Sequence, residues 1–212
     1  MKQLIFQFPF KTSYNEKDFY VSSNNFEVYK LVETFPKWVS KKINIFGPSR
    51  SGKTHLAYIL KSKHNFDIIN ASNLNKNSLK EIEMKKCLII DNYHNNIDED
   101  TLYSLINNIN QSNSFLVINS NEPIKNTNIE LLDLKSRFES FLFLGIDLPT
   151  DDLLRAVITK YFSDKQLEIN IKSIEYVVKN IDRSYEKITN FTKEIDKVSL
   201  STGKSININL IK

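Results

Sequence analysis

One cysteine in 212 residues excludes an internal disulfide and any cysteine-built metal cage. Cys87 sits in the apolar run Cys87-Leu88-Ile89-Ile90, where it reads as a buried, unreactive thiol. The three histidines, His55, His64 and His94, have no Cys/His/acid spacing that would make a metal site, and no Ser–His–Asp arrangement can be assembled. No apolar run is long enough to span a bilayer, so no membrane association is expected. Met1-Lys2-Gln3-Leu4 lacks the basic-then-apolar layout of a signal peptide, and a cytoplasmic location is expected. The net charge of +4 is spread along the chain rather than gathered into one block, as solvated faces would give.

Arginine is also scarce. Of 29 basic residues only Arg50, Arg137, Arg155 and Arg183 are arginines, which leaves 25 lysines. Where generic positive charge comes from lysine, arginine marks positions that need a rigid, planar, multi-donor group. Arg155 lies inside an amphipathic helix and reads as structural, and Arg50 is expected to face solvent.

Glycine occurs four times, and two of the four stand in Gly47-Pro48-Ser49-Arg50-Ser51-Gly52-Lys53-Thr54. This stretch fits G-x-x-x-x-G-K-[ST] and follows the apolar run Ile43-Asn44-Ile45-Phe46, the strand-to-helix context that a P-loop needs. Its backbone N–H groups would converge on a di- or triphosphate. Lys53 would neutralise the outer phosphoryl oxygens and the Thr54 hydroxyl would ligate Mg²⁺, while the following helix adds its positive end. His55 is read as first-turn packing.

Short apolar runs alternate with periodic segments, as in an α/β fold with a parallel sheet. The expected strands are Lys42–Phe46, Phe66–Ala71, Cys87–Asn92, Phe115–Ser120 and Phe141–Ile146. Thr54–Lys63, the stripe Leu102, Leu105, Ile106 and Ile109, and Ile129–Glu139 are expected helices. After Pro149 the pattern becomes wholly helical, with apolar stripes on Leu153–Phe162, on Ile171–Ile181, and on Tyr185, Ile188, Thr192, Ile195 and Val198. A nucleotide-binding domain over 1–149 and a helical lid over 150–212 are therefore expected, with Ile206–Ile211 as a short strand or an extended arm.

Leu88-Ile89-Ile90-Asp91 is an apolar strand ending in an acid, 38 residues after Lys53 (91 − 53), the Walker B layout in which the acid holds Mg²⁺. The next residue is Asn92, where many P-loop ATPases place a second acid to orient the attacking water. An amide cannot take that proton, so slow self-hydrolysis is expected at best. Asn119-Ser120-Asn121 closes the next strand and is either a γ-phosphate contact or a polar turn before Pro123. Arg137 is either a surface salt-bridge partner of Asp133 or Glu139, or an arginine finger reaching another subunit's nucleotide. Arg183 either pairs with Asp182 or Glu186 or returns a guanidinium to bound phosphate.

Together these residues resemble the AAA+ family, and within it the DnaA/Hda branch. Asp18-Phe19-Tyr20-Val21-Ser22-Ser23-Asn24-Asn25 is similar to the branch's segment that wraps the adenine, which gives Phe19 and Val21 to the base. Gly52-Lys53-Thr54-His55-Leu56 matches the start of its P-loop helix, His included. Asn121 falls at sensor 1, Leu134-Lys135-Ser136-Arg137-Phe138 at the arginine-finger motif, and Arg183 at sensor 2. The chain stops after the lid, leaving no room for a helix-turn-helix DNA-binding domain, so contact with DNA is expected only indirectly. Gln3-Leu4-Ile5-Phe6-Gln7-Phe8 resembles a sliding-clamp docking peptide, with Gln3, Leu4, Phe6 and Phe8 as its anchors, or else is an arm packed on its own domain. The resemblance implies an ADP- or ATP-binding regulator with Mg²⁺, which docks on the polymerase sliding clamp and promotes hydrolysis of DnaA-bound ATP through Arg137. A helicase-loader-like adaptor or scaffold shares the fold, a small-molecule kinase shares the P-loop, and self-association stays open.

Overall fold

The structure is a computed structural model that describes residues 14–82, 85–94 and 97–211. The chain divides into two compact units, one holding Tyr14–Val21 and Asn25–Asp147, the other Ser22–Asn24 and the segment from Leu148 onward.

The first unit is built on a five-stranded parallel sheet of β1 (Lys42–Phe46), β2 (Asp67–Asn70), β3 (Cys87–Tyr93), β4 (Phe115–Ser120) and β5 (Leu142–Gly145), in the order β2-β3-β4-β1-β5. Among the described residues it is accompanied by the helices α1 (Phe26–Thr34), α2 (Lys53–His64), α3 (Lys76–Ile82), α4 (Glu99–Gln111) and α5 (Leu132–Glu139). The strands are near-continuous apolar runs because both faces are covered. Leu88, Ile90, Leu116 and Ile118 share a buried cluster with Leu102, Leu105 and Ile106 of α4 and with Phe138 of α5. Ile89 and Val117 alternate to the other face and are as fully buried as Leu56, Ile59 and Leu60 of α2. α4 starts on Asp98, whose carboxylate accepts from the Thr101 N–H, and its buried stripe is Leu102, Leu105, Ile106 and Ile109.

The expected strands lie within a residue or two of those found. β2 stops at Asn70 because that side chain accepts from the Ser72 N–H and opens a 3-10 turn at Ala71. α5 begins at Leu132 rather than at 129, and α1 and α3 carried no clear periodic signal.

The second unit comprises α6 (Asp151–Asp164), α7 (Ile171–Asn180), α8 (Tyr185–Thr202) and the single turn α9 (Ile208–Ile211). Thr150, Asn170 and Ser184 cap the first three, and Gly203 ends α8 in the left-handed region at φ 65°. Leu154, Ile158, Phe162, Ile174, Val177, Val178, Ile188 and Ile195 form its core. Two expectations need correction. Val198 is 39% exposed, and Asp196 and Ser199 take the buried places on α8. Ile206 makes one parallel bridge to Ile169, after which the chain turns into α9, so no strand or arm forms. Among the described residues, no helix is long and apolar enough to cross a membrane.

Candidate functional site

The site lies at the carboxyl ends of β1, β3 and β4. Leaving β1, the chain must pass the end of β5 at close range. A Cβ on Gly47 would stand 2.6 Å from the Ile146 carbonyl oxygen, so only glycine fits. Gly52 takes φ 99°, a conformation open to glycine, and a Cβ there would meet the Phe19 ring at 3.2 Å. Pro48 and Ser49 carry the turn between them, and Arg50 adopts φ 66° and is exposed, as expected.

Lys53 opens α2 and is only 8% exposed. Its Nζ donates to the Gly47 carbonyl at 2.7 Å and to the Pro48 carbonyl at 2.9 Å, and lies 3.5 Å from Asn121 Oδ1. Burial pushes the ammonium down to about 8, with the Asp91 charge pulling the other way. Thr54 Oγ1 donates to Asp91 Oδ2 at 2.8 Å, joining the P-loop helix to the end of β3.

Asn119 holds the other carboxylate oxygen. Its Nδ2 donates to Asp91 Oδ1 at 2.8 Å and to the Lys53 carbonyl at 3.2 Å. The motif Asn119-Ser120-Asn121 is thus shared between two tasks, Asn119 fixing the acid and Asn121 approaching the lysine. Asn92 bulges out of β3 at φ 57° with its side chain exposed, so the position after Asp91 carries no carboxylate.

The segment before α1 covers the loop. Phe19 packs edge-on to His55 at 5.3 Å and stacks on Tyr29 at 5.6 Å, while Val21 is 37% exposed. His55 Nε2 lies 2.7 Å from the Asn15 carbonyl, so the histidine fastens this segment and takes no catalytic position. Tyr14, which the sequence did not single out, stacks on Tyr58 at 4.4 Å and meets His55 edge-on. Burial pushes its hydroxyl up, with smaller contributions from Tyr58 and the Asp91 charge.

Asn44 was also missed. It is fully buried in the middle of β1, where its Nδ2 donates to the Ile118 carbonyl (2.8 Å) and Ser120 Oγ (2.9 Å) and its Oδ1 accepts from the Ile124 N–H (3.0 Å). It ties β1 to β4 and to the turn after Asn121. The signal was there to read: a carboxamide inside a strand otherwise built of isoleucine and phenylalanine.

The residues present fit a nucleotide phosphate chain with a hard divalent cation. Among the described residues Ser51 Oγ and Asn119 Oδ1 are buried without a hydrogen-bond partner, Gly47 makes a cradle that a Cβ would fill, and Thr54 and Asp91 offer oxygen ligands. No cluster of three His, Cys, Asp or Glu forms among the described residues.

The remaining arginines part company. Arg137 is exposed in the last turn of α5, and among the described residues it pairs with neither Asp133 nor Glu139. Arg183 belongs to the helical unit and pairs with Asp151 at 3.0 Å rather than with Asp182 or Glu186. Arg155 is held by Glu175 (2.7 and 3.1 Å) and Asp152 (2.9 Å), a structural role. Gln3, Leu4, Phe6 and Phe8 lie outside the described residues.

Sheet order, P-loop and β3 acid define an α/β P-loop domain with the AAA+ fold. The chain is 26% identical, over an alignment of 237 residues, to the chromosomal replication initiator protein DnaA of Buchnera aphidicola subsp. Baizongia pistaciae. That alignment takes in 99% of this chain and 52% of the initiator, so the chain spans about half the length of the curated relative it matches. Domain III of the Thermotoga maritima replication initiation protein DnaA superposes with a TM-score of 0.76 over 96% of each chain, at 18% identity. AMPPCP-bound DnaA from Aquifex aeolicus gives 0.72 over 90% of this chain and 67% of the other, at 19% identity. The Thermotoga maritima RuvB Holliday junction branch migration motor gives 0.67 over 90% and 67%, at 21% identity, and shares the fold. No family model matches. The chain thus has the AAA+ fold and is similar in sequence to the DnaA initiator.

Proposed function

We propose that the chain is a nucleotide-binding regulator of replication initiation that supplies Arg137 to the ATP site of DnaA. The Gly47–Thr54 loop holds the phosphates, Thr54 and Asp91 hold Mg²⁺, and Phe19 and Val21 flank the base. When bound, the nucleotide would supply the negative charge that this loop and Lys53 are placed to meet. Lys53 releases the Gly47 and Pro48 carbonyls to reach it, and Asn121 stands beside that lysine.

The observation that carries the reading is the contrast between two positions. Asn92 leaves the chain's own site without a carboxylate beside Asp91, whereas Arg137 is exposed and free of any carboxylate among the described residues. A site short of a base beside a spare guanidinium suits action in trans more than self-hydrolysis. ADP is the resident nucleotide that the family resemblance implies, with ATP as the alternative. Gln3, Leu4, Phe6 and Phe8 would dock the protein on the sliding clamp and bring it to DNA indirectly, in the cytoplasm.

The test is association of this protein with DnaA loaded with ATP or with ADP, in the presence and absence of DNA-loaded clamp. Preference for the ATP form, strengthened by clamp and lost on removal of residues 1–8, is expected. Equal binding to both forms would contradict an arginine that engages the γ-phosphoryl group.

A further inference from the structure

Lysines lie at the amino-terminal ends of β1 and β3, opposite the P-loop. Lys85 pairs with Asp67 at 3.2 Å, and the Lys41 Nζ donates to the Asn113 carbonyl at 3.0 Å. Lys42, the first residue of β1, differs. Its Nζ donates to Ser140 Oγ at 3.0 Å, and that hydroxyl donates to the Arg137 carbonyl at 2.6 Å. Ser140 thereby fastens the lysine to the end of the helix that carries Arg137.

Neither cation has a carboxylate among the described residues, although Asp133 lies one helical turn before Arg137 and Glu139 two residues after it. Burial lowers the Lys42 ammonium's pKa, and repulsion from the Arg137 guanidinium lowers it further. The carbonyl end of α5 offsets part of that repulsion, equivalent to about half a negative charge. A helix end of this kind is satisfied by one cation. Two neighbouring cations without a carboxylate leave room for an anion, and a guanidinium fork beside an ammonium point charge is the donor set that phosphate oxygens take.

We propose that Lys42 is the second cation of the Arg137 face, and that the pair binds the phosphate oxygens of a nucleotide held in another subunit's P-loop. The inference rests on the reading that Arg137 acts in trans, and it adds a recognition residue on a different strand.

The experiment measures binding of fluorescently labelled protein to AMPPCP-loaded DnaA over a range of salt concentrations. The proteins compared are wild type, Lys42→Gln, Lys42→Arg and Arg137→Ala. Lys42→Gln removes the charge while keeping a polar side chain of similar bulk. Lys42→Gln should raise the half-saturating concentration about tenfold and flatten its salt dependence, as loss of one charge-assisted contact would. Lys42→Arg should restore both. If Lys42→Gln binds like wild type with the same salt dependence while Arg137→Ala is defective, Lys42 has no such role and the trans reading stands. If Arg137→Ala binds as well as wild type, that reading falls and takes the inference with it.

Discussion

Lys53 should make nucleotide affinity depend on pH, in a window set by its depressed pKa. In the ligand-free chain burial holds its pKa at about 8. Phosphate beside it would bring the pKa back to its ordinary value of about 10.4 or higher. Binding therefore takes up a proton wherever the free lysine is neutral and the bound one charged, from about pH 8 to above pH 10. Below pH 7 both states are protonated and affinity is flat on account of Lys53. As pH rises through the lower value, affinity falls, approaching tenfold per unit, so pH 9 should cost about tenfold relative to pH 7, or about 1.4 kcal/mol. The assay is calorimetric titration with ADP in Mg²⁺-free buffers of differing ionisation enthalpy. At pH 8 about half a proton should be taken up per ADP bound. Lys53→Arg, which stays charged throughout, should bind without this dependence. An affinity constant from pH 7 to 9, with no buffer-dependent heat at pH 8, would refute the argument. Stability follows the same shift with its own sign. The unfolded lysine binds more protons than the folded one between about pH 8 and 10.4, so the ligand-free chain should gain stability as pH rises across that window.

Other positions give separate readouts. Asn44→Leu strands the Ile124 N–H inside the domain and should cost roughly 2–4 kcal/mol in urea unfolding, against little change for an exposed asparagine. Asn92→Asp keeps a residue type that tolerates the left-handed backbone and installs a carboxylate beside Asp91. Self-hydrolysis of ATP, followed by phosphate release, should rise at least about tenfold. Asn119→Ala frees one oxygen of Asp91 and should weaken nucleotide binding several-fold in Mg²⁺ but not in EDTA, which parallel titrations separate.

How much of this could be read from the sequence depended on how local the signal was. The strands were legible because buried parallel strands are short, continuous apolar runs, and the P-loop because its glycines, Lys53 and Thr54 are fixed in spacing. α3 was not legible: Lys76–Ile82 is polar and buries only Ile82, so it carries no stripe. Val198 was placed in the core by period alone, whereas α8 turns Ser199 inward, where its hydroxyl donates to the Lys204 carbonyl. The partner of Asp91 could not be read either, because Asn119 and Asn121 are both polar residues at one strand end. β4 ends at Ser120, so Asn119 is still within the strand and reaches Asp91, whereas Asn121 lies in the turn beyond it, beside Lys53. Asn44 and Tyr14 act through contacts 80 and 44 residues away, with Ile124 and Tyr58, which no local pattern encodes.

The central claim is that Arg137 acts on ATP held by another protein. Its most direct test is the single-turnover rate of hydrolysis of DnaA-bound ATP, with ADP-loaded wild type or Arg137→Ala added in the presence of clamp-loaded DNA. The account predicts strong stimulation by wild type that Arg137→Ala loses almost completely, since a finger supplied in trans is worth roughly 10³–10⁵ in rate. Equal stimulation by the two proteins, or none by either when ADP binding is intact, would contradict it.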